Sequence, residues 1–135
     1  VRYKEVYKRS IEYPKEFWAE QAAELQWTKP WKEILDTDSS TPASLWFKGG
    51  EVNVCENALD VHVQNGRGDQ AAIIFQSNYS DTRYSLSYAD LLDKVSKFSD
   101  VLRKQGIGYN PDSKQQQNVV IYMANTVEAV IAMLA

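Results

Sequence analysis

YSLSYADLLDKVSKFSDVLRKQGI, residues 84–107, joins a strand to a helix within one stretch. Over 83–87 the chain alternates, with Tyr84 and Leu86 on one side, the period-two pattern of a half-buried strand. Ser87 suits a helix N-cap, and Asp90 three residues on is the aspartate form of the capping-box partner. Leu91, Leu92, Val95, Phe98, Val101 and Leu102 recur at helical spacing and make one apolar stripe. Gly106 ends the pattern, because glycine takes the left-handed closing turn without strain. A helix over 87–105 is expected.

On either side the same logic extends. Residues 71–75 (AAIIF) are a short apolar run and predict a buried strand. Residues 108–118 form a polar loop with Pro111 and the run Gln115, Gln116, Gln117. Residues 119–123 (VVIYM) predict a second buried strand. Asn125 and Glu128 make another cap pair, opening a helix with Val127, Val130, Ile131 and Leu134. Strand and helix then alternate, which favours a parallel sheet covered by helices, an α/β fold.

Further upstream, Asn53 with Glu56 can cap a helix that stops near Asn65 and Gly66. Gly49 and Gly50 mark a turn before it. Pro14 suits a first helical position, and Phe17, Trp18, Gln21, Ala22 and Leu25 follow at helical spacing. An aromatic stretch with Trp27, Pro30 and Trp31 comes next, then a polar loop over 36–42 (DTDSSTP). The first 45 residues read as an aromatic arm without alternating strands, and the organisation changes at Trp46.

Composition excludes several classes. The chain has 135 residues, 44% hydrophobic and 24% charged, ordinary for a globular domain. With a net charge of -3 and no basic patch, nucleic acid is not an expected partner. No apolar run approaches the roughly 20 residues of a membrane span. Cys55 is the single cysteine, so no internal disulfide forms and a reducing compartment is compatible. No secretory signal is read at the start. The chain opens on Val1 and stops at Ala135 inside an apolar helical pattern, and both ends are expected to be cut from a longer protein.

Candidate chemistry is sparse. His62, the only histidine, shares a helix face with Cys55, Ala58 and Leu59. Seven residues at 1.5 Å rise separate it from Cys55 by about 10 Å, too far for a shared zinc or a catalytic pair. A structural histidine near a helix C-terminus is the simpler reading. Gly66, Gly68 and Ala71 fit GxGxxA, but this follows a helix and precedes a strand, the inverse of the dinucleotide fingerprint. No Walker pattern occurs. Arg67-Gly68-Asp69 and the sequon Asn78-Tyr79-Ser80 are chance matches without a secretory route. Trp18, Trp27, Trp31 and Trp46 could stack on a sugar or a base, and packing is the simpler reading. Asp36 and Asp38 are read as solvated loop carboxylates. No active site follows from these residues.

Four blocks carry a resemblance: YPKEFWAEQAAELQWTKPW (13–31), WFKGGEVNVCENALDVH (46–62), YSLSYADLLDKVSKFSDVLRKQGI (84–107) and VVIYMANTVEAVIAMLA (119–135). In this order they resemble the opening of the acetyl-CoA and propionyl-CoA synthetases, AMP-forming ligases of the adenylate-forming superfamily. The resemblance implies that a short-chain carboxylate attacks the α-phosphate of ATP with Mg2+ present, and that CoA then displaces AMP. A carboxylate oxygen is a poor leaving group, and the mixed anhydride supplies a better one.

The family places this work on later segments: a phosphate loop ending in Pro-Lys-Gly, an aromatic-acid motif near the adenine, and a lysine in a mobile C-terminal domain. None of these occurs here, so no catalytic, cofactor-binding or metal residue is expected in this chain. ATP, CoA and Mg2+ belong to the full-length enzyme, and the 135 residues alone are expected to bind none of them and to be inactive. What the resemblance implies for this chain is structural. Residues 1–45 would be an N-terminal extension packing on the large domain, and residues 46–135 the start of that domain. Trp46, Phe47, Gly50 and Asn53 match the family's junction between the two. The implied compartment is the cytoplasm or the mitochondrial matrix, without secretion.

Departures from the family pattern lie at helix ends and loops. Val61 stands where arginine is common, Ala124 where proline is usual, and the loop 108–118 is longer than the family's turn. The turn Asn53-Val54-Cys55-Glu56-Asn57-Ala58 is closer to propionyl-type members, while acetoacetate-activating relatives also share Glu56-Asn57. Acetate, propionate and acetoacetate therefore stay open. The alternative reading is a non-catalytic interaction module built on the same N-terminal fold.

Overall fold

The computed structural model describes residues 2–37, 44–108 and 117–135, which divide into two compact units, Val1–Asn53 and Val54–Ala135.

The first unit begins with helix α1 (Tyr3–Glu12). The Glu5 carboxylate accepts the Arg2 backbone N–H at 3.4 Å. This acid lies in the first turn and Arg9 in the last, both favourable against the helix dipole. Tyr13 leaves helical geometry, and Pro14 opens α2 (Pro14–Ala22) as expected. An Arg9–Glu20 ion pair and the Arg9 guanidinium 6.0 Å from the Phe17 ring join the two helices.

Four short strands follow where none were expected. They are β1 (Trp27–Lys29), β2 (Glu33–Asp36), β3 (Leu45–Lys48) and β4 (Glu51–Val52). β1 pairs antiparallel with β4, and β2 with β3 in the register Glu33↔Lys48, Leu35↔Trp46. Each is two to four residues long, too short for alternation to show in sequence. The four strands position a ring cluster. Trp27 and Trp31 meet at 4.9 Å between centroids, and each lies 5.5 Å from Phe47. The Trp27 indole N–H donates to the Ala22 carbonyl at 2.7 Å, tying β1 to the end of α2.

Asp36 corrects the reading of a solvated loop carboxylate. It ends β2 at 6% exposure, and Lys48 of the paired strand β3 reaches its Oδ2 at 2.5 Å. A buried carboxylate needs such a partner to offset lost hydration. Asp38 lies outside the described residues.

The second unit opens with helical turns over 54–67, including two π-helical stretches, Glu56–Asp60 and Val63–Arg67. Gly66 at φ +76° breaks them where a stop is expected. β5 (Ala71–Ser77) and β6 (Thr82–Ser87) then form an antiparallel hairpin from Ala71↔Ser87 to Ser77↔Thr82. Asn78-Tyr79-Ser80 sits at its tip. α3 (Tyr88–Lys104) is capped by Ser87, whose Oγ accepts the Asp90 N–H at 3.1 Å. Gly106 at φ +79° closes it. α4 (Val127–Leu134) starts at Thr126, one residue later than the Asn125 cap expected.

The core of this unit is Leu59, Leu91 and Val95, flanked by Ile73, Leu86, Leu92, Ile131 and Leu134. The α3 stripe is therefore buried at its N-terminal half, while Val101 is half-exposed. Ile74 is exposed too, so β5 is covered on one face only. The expected strand over 119–123 does not form: these residues join no ladder and are exposed, Val120 at 91% and Tyr122 at 101%. All strand pairs among the described residues are antiparallel, and the parallel sheet expected of the strand–helix alternation is not made. Among the described residues no strand lies beside this segment. Two apolar faces and two open edges hold a strand only when other strands lie beside it.

Candidate functional site

At one corner of the second unit the side chains of His62, Arg67, Gln70 and Tyr88 come together. Gly66 turns the chain so that Arg67 points back along the preceding helical turns. Its Nε donates to Gln70 Oε1 at 2.8 Å, and one terminal nitrogen lies 3.1 Å from His62 Nδ1. A guanidinium only donates, so His62 accepts through Nδ1. The Arg67 guanidinium lies 5.4 Å from the Tyr88 ring centre, and the His62 and Tyr88 rings are 4.9 Å apart.

Backbone bonds complete this corner. The Gly68 and Gln70 carbonyls accept the N–H groups of Ala89 and Tyr88, each at 3.0 Å. They satisfy two of the donors that a helix start leaves unpaired. The corner thus docks the 66–70 turn on the start of α3, a structural role for His62. Sequence reading placed His62 on its helix but missed Arg67 and Tyr88, whose partnership depends on the Gly66 turn.

Cys55 packs against the Leu59 core. Burial, then the nearby Asp60 carboxylate, pushes its thiol pKa up. A thiol so held stays protonated at neutral pH and is a poor nucleophile. Among the described residues no three His, Cys, Asp or Glu side chains could hold a metal ion. Gly66, Gly68 and Ala71 lie after helical turns and before β5. A β-carbon at position 68 would meet nothing closer than 3.6 Å, so no close approach requires a glycine there.

The four tryptophans pack mainly on other rings of their own unit. Trp18 lies 5.2 Å from Phe17 and 6.3 Å from Trp46, which lies 6.0 Å from Phe47. Trp18 and Trp46 each stay 43% exposed. Of the junction residues, Trp46 and Phe47 belong to β3, Gly50 to the turn before β4, and Asn53 ends the first unit.

One apolar groove, about 490 Å³, opens in the second unit between α3 and α4. Phe98 and Val101 line it from α3, Ile131 from α4, and Met123 from the segment before α4. Lys94 and Glu128 stand at its polar rim. No helix among the described residues is long and apolar enough to cross a membrane.

Residues 3–58 match the family model described as acetyl-coenzyme A synthetase N-terminus, and residues 59–135 match that of the AMP-binding enzyme. The rat protein acyl-CoA synthetase short-chain family member 3, mitochondrial, is 41% identical over 133 residues, 98% of this chain and 18% of that protein. Acetyl-coenzyme A synthetase of Mycobacterium tuberculosis (strain CDC 1551 / Oshkosh) is 42% identical over 131 residues, 97% of this chain and 19% of that protein. Among solved structures, acetoacetyl-CoA synthetase from Streptomyces lividans matches with a TM-score of 0.80 at 24% identity. That match covers 99% of this chain and 20% of the other, and it shows the fold expected from the resemblance. The chain spans about one-fifth of the length of each of these proteins. The AMP-binding enzyme model alone covers more than half of the 135 residues, and the chain belongs to the AMP-binding enzyme family.

Proposed function

We propose that these residues are the N-terminal part of an AMP-forming short-chain acyl-CoA synthetase. The full-length protein would activate acetate or propionate with ATP to an acyl-adenylate and then form the CoA thioester. The observation that carries this reading is that relatives named acyl-CoA and acetyl-CoA synthetases align over nearly the whole chain at 41% and 42% identity.

Activation solves a leaving-group problem, since carboxylate oxygen departs far less readily than AMP. Mg2+, when bound, offsets phosphate charge as it develops. The residues of this chain supply the scaffold, and the groups that touch ATP, CoA and carboxylate are assigned to segments beyond it. Residues 1–45 act as an extension packing on the large domain, which residues 46–135 begin. The compartment is the cytoplasm or the mitochondrial matrix, and the rat relative's name supports the second.

The test is carboxylate-dependent exchange of labelled pyrophosphate into ATP by the full-length protein, with acetate, propionate and acetoacetate compared. Exchange with acetate or propionate is expected, and the chain of 135 residues alone should give none. No exchange by the full-length protein with any of the three acids would overturn the reading and favour a non-catalytic module.

A further inference from the structure

We propose that the corner of His62, Arg67 and Tyr88 is a proton-sensitive clasp, closed when His62 is neutral and opened when it is protonated. The inference goes beyond the ligase reading and stands whether or not that reading holds. It begins from one contact whose direction is fixed. Arg67 places a terminal nitrogen 3.1 Å from His62 Nδ1. A guanidinium has donors only, so the contact requires a lone pair on Nδ1. An imidazolium carries a proton on both ring nitrogens and has no lone pair to offer. Protonation therefore removes the acceptor and sets two cations side by side.

That contact is tied to the rest of the corner. Gln70 holds Arg67 from the other side, accepting Nε–H at 2.8 Å, and the guanidinium lies 5.4 Å from the Tyr88 ring centre. The His62 ring meets the same Tyr88 ring at 4.9 Å. Tyr88 is the first residue of α3. Its N–H and that of Ala89 donate to the Gln70 and Gly68 carbonyls at 3.0 Å. Side chains and backbone bonds thus join the same two pieces, the 66–70 turn and the start of α3. When the side-chain clasp opens, the backbone bonds beside it open more often.

No counter-charge is in place to hold the proton. On α3, Asp90 is bonded to Ser87 and Asp93 to Lys97. Asp60, two residues before His62, and Asp69 on the turn make no ion pair with it among the described residues. A carboxylate on the ring would favour the imidazolium and cancel the effect. Imidazole is the side chain whose charge ordinarily changes between about pH 5 and about pH 8.

Hydrogen exchange at the Tyr88 and Ala89 amides of the full-length protein is followed at about pH 8 and at about pH 5, the span over which imidazoles change charge. Each rate is divided by that of the unfolded chain at the same pH. Protection is expected to fall about five-fold at the acid end, the weight of roughly one net hydrogen bond. His62→Asn is the control. Its Oδ1 stands close to the former Nδ1 position and takes no proton, so its protection should not change with pH. Equal protection of the natural protein at both pH values overturns the proposal. An equal fall in His62→Asn also overturns it, because another group then carries the proton. Arg67→Gln gives a second reading if the asparagine protein folds poorly. It removes the neighbouring cation, so the acid-induced fall should vanish, and a fall of unchanged size would show that Arg67 is not the latch.

Discussion

Gly50 and Trp27 approach so closely that a β-carbon at position 50 would lie 2.7 Å from the indole Cζ3. The Phe47 carbonyl, 3.1 Å from the same point, closes the other side and accepts the Gly50 N–H at 2.9 Å. Phe47 itself has φ +52°, a conformation that bulky residues seldom adopt. Its ring lies against Trp27 and Trp31, which offsets part of that strain. Gly50→Ala must therefore move a ring that is held on three sides. A loss of about 1–3 kcal/mol is expected, as for overpacking. Gly68→Ala is the control: position 68 has helical angles and ordinary spacing, so its change should stay within about 0.5 kcal/mol. Far-UV circular dichroism in urea reads both, and equal midpoints for the two variants would refute the close-packing argument.

Ser87 holds the start of α3 through its Oγ, which accepts the Asp90 N–H and donates to the Asp90 carboxylate at 2.6 Å. Ser87→Ala should cost about 1 kcal/mol, and Ser87→Thr, which keeps a hydroxyl to accept from and donate to Asp90, should recover most of it. Thermal unfolding of the three proteins checks this order.

The ion pair Asp36–Lys48 gives an alkaline signature. The hydrogen bond with Asp36, then its charge, raises the Lys48 pKa above the ordinary 10.5. A raised lysine contributes its stability in full below the unfolded value and loses it as pH climbs through the folded one. Lys48→Met should unfold earlier than the natural protein at neutral pH, because the buried Asp36 loses its cation. The gap should narrow above pH 10.5. Midpoints measured across the alkaline range decide it, and a gap constant with pH would mean that the pair is not what matters.

Glu128 behaves in the opposite sense. Its own backbone N–H, then the Thr126 hydroxyl, hold its carboxyl pKa below the usual 4.5, with Lys94 adding a smaller pull. A depressed carboxyl contributes stability above the unfolded value and loses it as pH falls through the folded one. Thr126→Val removes the side-chain donor and should move the Glu128 titration up towards 4.5. Carboxyl carbon shifts followed by NMR test this, and an unmoved midpoint would count against the hydroxyl as a donor.

What could be read from sequence follows the length of each signal. α3 was legible because a Ser87 cap, a stripe of six apolar residues and the Gly106 stop agree over five turns. β5 was legible as the apolar run 71–75, though Ile74 turns out exposed, and β6 as the alternation over 83–87. The strands β1–β4 stayed hidden: two to four residues carry no period, and the rings that hold them together come from β1, β3 and the link between β1 and β2. Asp36 looked solvated because its neighbours in sequence are polar, and its pairing across to Lys48 is visible only once β2 and β3 meet. Residues 119–123 have a strand's composition, but the strand expected there does not form, because pairing depends on a neighbour that a local pattern does not contain. For the candidate site, sequence placed His62 as structural, whereas the Arg67–Tyr88 contacts depended on a turn geometry visible only after folding.

The open stretch Val119-Val120-Ile121-Tyr122-Met123 has a consequence for biosynthesis. It is five residues of high strand propensity without proline or charge, the profile of an aggregation-prone window. A ribosome adding about 5–20 residues per second leaves such a window uncovered for seconds before any later segment emerges. During that interval the nascent chain presents a sticky edge to its neighbours on a polysome. An extended apolar window of this kind is what a holding chaperone binds before the rest of a domain is made.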